Sequence, residues 1–150
     1  MISIARLSEA RADYREVIGR SPVAEEPNAI GIIHKFVDMG QSNYIGYIND
    51  EAAFLYGVIT PTLLSSSRAF IWMLTTDVID KHKFEFIRTS EKVVENTLRE
   101  FDMIIGETHV KDQRAFKWLR WLGAVYWGYE RELVPFFITE QTFRDRRKKR

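Results

Sequence analysis

Side chains able to act on a substrate are sparse in this chain of 150 residues, and their spacing is poor for chemistry. The three histidines stand at positions 34, 82 and 109, and no His-x-His or His-x-x-x-His pair sets two imidazoles on one metal ion. His109 offers the most. With Glu107 two residues before it, it could serve as a general base oriented by a carboxylate. The simpler reading of the two is a polar pair at a strand end. Ser65–Ser67 lack the Gly-x-Ser-x-Gly elbow and read as a flexible connection. Glu25 and Glu26 precede Pro27 at the head of a helix, where acids complement the helix dipole. Absence of cysteine removes thiolate catalysis, disulfides and zinc ribbons together. The residues predict neither a metal site nor a nucleophile.

These side chains must be held by elements legible in the pattern. Ile2–Leu7 alternates as a strand, and Ser8 caps a helix that Gly19, Ser21 and Pro22 break. Pro27 opens a second helix, Asn28–Met39, with Ile32, Ile33, Phe36 and Val37 as its apolar stripe and Gly40 as its stop. Tyr44–Ile48 and Ala53–Thr60 form a hairpin across Asn49-Asp50-Glu51; Pro61 ends it and a polar loop, Thr62–Ser67, follows. Ala69–Thr75 is a strand. A long helix, Asp80–Phe101, then places Phe84, Ile87, Val94, Leu98 and Phe101 on one stripe, with Asp77 or Asp80 as its cap. Met103–Glu107 is a strand, Asp112–Leu122 a helix stopped by Gly123, and Ala124–Tyr129 and Val134–Ile138 close the chain. Pro135 makes the last strand an expected sheet edge. The order β-α-α-β-β-β-α-β-α-β-β describes a mixed α/β domain over residues 1–143, with residues 144–150 as a tail.

Charge singles out that tail. Arg144–Arg150 holds six basic residues and one acid, for +5; Met1–Phe143 holds 16 Lys/Arg against 20 Asp/Glu, for −4. Such a segment (Arg144, Arg146, Arg147, Lys148, Lys149, Arg150) predicts a solvated arm able to touch an acidic partner or, weakly and without base readout, DNA. On the Asp112–Leu122 helix, a step of about 100° per residue puts Ala115, Leu119 and Leu122 on one face. Trp121 falls opposite, between Arg114 and Lys117, as an aromatic hot spot among cations would; a Trp lying flat under Arg114 or Lys117 is the alternative. Trp118 borders the apolar face as core. Apolar runs are strand-sized, far short of the roughly 18 residues of a membrane span, and the N-terminus shows no basic leader ahead of an apolar core.

The element order over almost the whole chain resembles the GNAT acyltransferase superfamily. Its best local match, Asp112–Gly123 (DQRAFKWLRWLG), is similar to the signature Asn-x-x-Ala-x-x-x-Tyr-x-x-x-Gly-Phe. Ala115 and Gly123 fit; Asp112 stands for Asn, Ala124 for Phe, and Leu119 for the Tyr that in active members protonates the departing coenzyme A thiolate. Leu119 has no proton to give. Active members also carry an Arg/Gln-x-x-Gly-x-Gly/Ala turn, whose glycines bring backbone N–H groups to the pyrophosphate. Here that segment is Thr76–Phe84, which contains no glycine. The resemblance thus implies the fold, with no cofactor expected; a divergent acetyl-CoA-dependent N-acetyltransferase is the alternative, and it would need a cofactor cleft opening between the fourth and fifth strands.

A narrower resemblance covers Phe70–Tyr126 and is strongest at Leu119-x-x-Leu122-Gly123-Ala124-Val125. It is to the internal virion proteins of T7-like podophages. It implies a phage internal virion or virion-assembly protein that works through contacts with other phage proteins, in the virion interior or in the host cytoplasm during assembly. The candidate contact residues are then Arg114, Lys117, Trp121 and the tail.

Overall fold

The computed structural model describes residues 1–7, 11–39, 42–60 and 67–149. Ser8, Gly40, Pro61, residues 62–66 and Arg150, read from sequence as a cap, a stop, a strand end, a loop and the last tail charge, lie outside them. The elements run β1 (Ile2–Arg6), α1 (Arg11–Arg20), α2 (Pro27–Met39), β2 (Ser42–Ile48), β3 (Glu51–Ile59), β4 (Arg68–Thr75), α3 (Lys83–Glu100), β5 (Met103–His109), α4 (Gln113–Trp121), β6 (Val125–Tyr126), β7 (Leu133–Thr139) and α5 (Glu140–Lys148). This is the expected mixed α/β order, with seven strands in one mixed sheet and a further helix at the end. Among the described residues, no helix is long and apolar enough to cross a membrane. The chain forms two compact units, Met1–Ile59 with Trp72–Thr89 and Thr60–Ile71 with Ser90–Arg150; β4 and α3 each run through both.

In the first unit the ladder runs β1-β2-β3-β4. Asn49 and Asp50 have φ of 50° and 68°, so two residues make a type I′ turn and Glu51 already pairs with Ile48. That turn fixes the register and buries Ile45, Ile48 and Leu55. The α2 stripe reaches the sheet where Phe36 stacks on Trp72 at 6.2 Å.

The start of α3 departs from expectation. Thr76 caps a 3₁₀ turn, Asp77–Lys81, and the α-helix begins at Lys83. Neither Asp77 nor Asp80 is the cap. The offset moves the apolar stripe: Phe84 is 84% exposed, and Phe86 is buried against Phe54, ring centroids 5.1 Å apart. An aromatic at either position satisfies a helical period, so only the position of the cap decides which one packs.

In the second unit the ladder runs β4-β5-β7-β6. β4 and β5 are parallel but pair only from Arg68↔Met103 to Phe70↔Ile105, whereas β5 and β7 pair over seven positions. β7 is therefore interior, not the edge that Pro135 implied; β6 is the edge. The reason is which side the proline faces. Pro135 O accepts from Trp127 N–H at 3.2 Å, so its nitrogen also points toward β6. The missing donor falls just past the end of β6, where it removes one terminal rung. β6 itself stops at Tyr126 instead of reaching Tyr129.

Gly123 ends α4 as read. Its φ of +100° lets Gly123 N–H reach Arg120 O at 3.0 Å and Ala124 N–H reach Leu119 O at 2.9 Å, the Schellman pattern. Ile104, Leu122 and Ile138 fill this core, each worth about 1.5–3 kcal/mol of apolar burial. The basic tail is no arm. Residues through Lys148 form α5, started by a capping box between Thr139 and Thr142.

Candidate functional site

A phosphate-binding turn needs backbone N–H groups left free for the ligand. In Thr76–Phe84 three of them are spent inside the turn. Val78 N–H donates to Thr76 Oγ1 at 3.3 Å, Ile79 N–H to Thr76 O at 3.4 Å, and His82 N–H to Ile79 O at 3.0 Å. The Thr76 hydroxyl in turn donates to Ala53 O at 2.7 Å, and the Val78 and Ile79 side chains are buried, which anchors the turn to β3. Asp77, expected on helix amides, instead accepts from Arg20 at 3.0 Å. The same guanidinium donates to Glu51 at 2.7 Å, and these bonds, Glu51 first, raise the Arg20 pKa. Lys81 and Lys83 are exposed, and Glu85 puts an acid in the first turn of α3.

The start of α4 is built from β5. His109 is 7% exposed, and its Nδ1 accepts the Lys111 N–H at 3.1 Å. That leaves the proton on Nε2, which lies 3.0 Å from Glu132 Oε1 and donates to it. The orienting carboxylate is thus Glu132 and not Glu107, which is exposed opposite Pro135. With both ring nitrogens occupied, His109 has no lone pair to offer a substrate. Asp112 caps α4, its Oδ1 accepting from Ala115 N–H at 3.1 Å. Burial raises the Asp112 pKa, against a lowering from the Ala115 bond and from Arg114 and His109. Leu119, at the place of the proton donor, is buried. The nearby Tyr126 hydroxyl bonds Thr108 at 2.8 Å, and burial pushes its pKa far upward, so it stays protonated and is a poor acid at neutral pH.

The contact residues read from sequence separate. Lys117 is exposed on α4, whereas Arg114 and Trp121 are half-buried and engaged with neighbours. Trp118 is core, its Nε1 donating to Ser90 at 3.1 Å. On α5, Arg144 pairs with Glu140, and Arg147 sits 3.0 Å from Glu91 and 3.8 Å from Glu95 with its guanidinium over the Phe143 ring. Arg146, Lys148 and Lys149 are exposed.

Sequence reading missed Arg120. Its guanidinium lies over Phe116 and Tyr126 at 5.5 Å and over Tyr129 at 5.9 Å, and it donates to the Tyr129 hydroxyl at 3.3 Å. Phe116, one helical turn before it, was the visible signal; Tyr126 and Tyr129 are brought in by the return through Gly123.

No family model matches the chain, and no curated protein matches it in sequence. Solved structures do. Aminoglycoside acetyltransferase AAC(6')-Ib in complex with coenzyme A superposes with TM-score 0.67 at 15% identity, over 98% of this chain and 99% of that one. Aminoglycoside N(6')acetyltransferase from Legionella pneumophila gives TM-score 0.63 at 11% identity, over 99% and 96%. An uncharacterized protein from Bacillus halodurans gives 0.64 at 11% identity, over 97% and 87%. The fold is GNAT-like. At these identities the likeness is one of fold.

Proposed function

We propose that this chain is a GNAT-fold protein that works by binding other proteins and not by acyl transfer. The observation that carries the reading is the Thr76–Phe84 turn, whose Val78, Ile79 and His82 amides are consumed internally. A cofactor pyrophosphate would find no glycine for close approach there and three fewer donors. The buried Leu119 and the fully bonded His109 support the same conclusion from the other unit.

The resemblance to podophage internal virion proteins supports placing those partners among virion or assembly proteins, with the protein in the particle or in the host cytoplasm during assembly. Finding the protein in purified particles is the expected result; its consistent absence from particles and from assembly intermediates would remove that placement. Exposed Arg146, Lys148 and Lys149 support a weak, salt-steep contact with DNA. Neutralising these three should abolish any gel shift, and a shift unchanged by them or by salt would refute that contact.

One observation favours a second reading. Structures similar over nearly the full chain include an acetyltransferase in complex with coenzyme A, which supports a divergent acetyl-CoA-dependent N-acetyltransferase. Calorimetry with acetyl-CoA and coenzyme A separates the two. No heat at millimolar cofactor is expected; micromolar binding would overturn the binding-protein reading and make acceptor screening the next step.

A further inference from the structure

Basic side chains of the second unit differ in whether a carboxylate compensates them. On α5, Arg144 and Arg147 are matched by Glu140, Glu91 and Glu95. Lys117, Arg120 and Arg131 are exposed, and among the described residues none of the three forms a salt bridge with a carboxylate. Arg120 is uncompensated yet held in place. Three rings surround its guanidinium, and one of its donors is spent on the Tyr129 hydroxyl. A guanidinium fixed by ring contacts loses little freedom when it accepts a carboxylate, which it can grip through two parallel N–H bonds.

Beside it lies a sheet edge, although Tyr126 on that edge is itself only 7% exposed. β6 is the last strand of its ladder. Trp127 N–H faces β7 through its bond to Pro135 O, and alternation along an antiparallel strand turns the Tyr126 N–H and C=O outward. The flanking side chains are large, apolar and exposed: Val125 at 41%, Trp127 at 47% with its ring 5.9 Å from Phe137, and Tyr129 at 56%. The Tyr126 side of the strand is the side where Arg120 lies; Val125 and Trp127 face the other way.

We propose that the β6 edge and Arg120 together bind an extended acidic segment of a partner protein. The segment adds as a strand along β6 through the outward Tyr126 groups. Its alternate side chains then present carboxylates to Arg120, with Lys117 and Arg131 as outlying cations, and apolar groups to Val125 and Trp127. The proposal rests on the partner-binding reading above and names the chemistry of the partner. A peptide is favoured over nucleic acid because the site couples one fixed cation to a strand edge; a phosphate backbone calls for a row of cations.

The test uses the full chain and a fluorescein-labelled octapeptide alternating glutamate and valine, read by fluorescence anisotropy. Saturable binding is expected, weakened roughly tenfold or more in Arg120→Gln, as for a hot-spot arginine. Binding should be equally weakened when alternate peptide nitrogens are methylated, a change that blocks strand addition without touching the protein. A lysine–valine octapeptide should not bind. Circular dichroism and Tm confirm that Arg120→Gln is folded, and Lys117→Gln, which cuts no packing, serves as the milder second variant. Absence of binding at millimolar peptide overturns the proposal, as does indifference to Arg120→Gln or to N-methylation. Tighter binding of a thymidine oligonucleotide at the same residues reassigns the surface to nucleic acid. A dimer on light scattering that Arg120→Gln dissolves reassigns it to a second copy. Cofactor calorimetry tests the underlying reading separately: coenzyme A binding would sink that reading while leaving the peptide result to stand or fall alone.

Discussion

The starts of α3 and α4 occupy comparable places, each the first turn of a helix that follows a strand, yet they are built in opposite ways. At α4 the helix is capped directly by Asp112 and closed by Gly123. At α3 a 3₁₀ turn intervenes, capped by Thr76, with its amides satisfied from within. The difference separates two duties. The α4 residues that match the signature, Ala115 and Gly123, are buried here and serve packing. At α3 the turn holds no glycine, and Val78 and Ile79 fill it as buried side chains.

The sharpest break of this comparison is at the α3 offset. Phe86→Ala should cost about 3–5 kcal/mol in urea unfolding, as a buried aromatic does, whereas Phe84→Ala should stay within about 0.5 kcal/mol. The reverse order would put the helix back in the phase read from sequence. Next comes α4: Gly123→Ala sets a Cβ 2.7 Å from Thr142 O at a φ of +100°, so a loss of about 2–3 kcal/mol is expected by the same measurement. A variant as stable as the parent would show that this end of α4 is not fixed by its glycine.

Smaller effects sharpen the contrast between the two caps. Thr76→Val removes one buried acceptor and one buried donor and should cost about 1–2 kcal/mol. Asp112→Asn should go the other way. The folded pKa of Asp112 is raised above its ordinary 3.8, so its contribution is most favourable below that value and declines as pH rises through the folded pKa. Asn caps as well without a buried charge, so Asp112→Asn should raise Tm at neutral pH and leave it unchanged near pH 3. A Tm lowered at neutral pH would show that the charge is needed.

Much of this was legible in the residues. Asn49-Asp50 announced the hairpin, Gly123 the end of α4 and Asp112 its start, because each is local chemistry with one geometric solution. Failures occurred where a second fact was required. Pro135 marks a strand that lacks one donor, but not the side on which it lacks it. Arg144–Lys149 reads as a solvated run unless Thr139 and Thr142 are noticed as a capping box and Glu91 and Glu95 are known to lie in reach. His109 found Glu132, 23 residues away, and not its near neighbour Glu107. Arg120 drew its cage from Tyr126 and Tyr129, across a turn no periodicity encodes.

The Asn49–Asp50 turn also has a consequence in time. It joins partners that are neighbours in sequence, so β2 and β3 can zip within microseconds once the chain collapses. The β4–β5 ladder must wait for α3 to close the crossover between Phe70 and Met103, and it has only three rungs to reward that closure. The hairpin is thus the natural nucleus, and mutations at its turn should slow folding while those in the parallel ladder hasten unfolding.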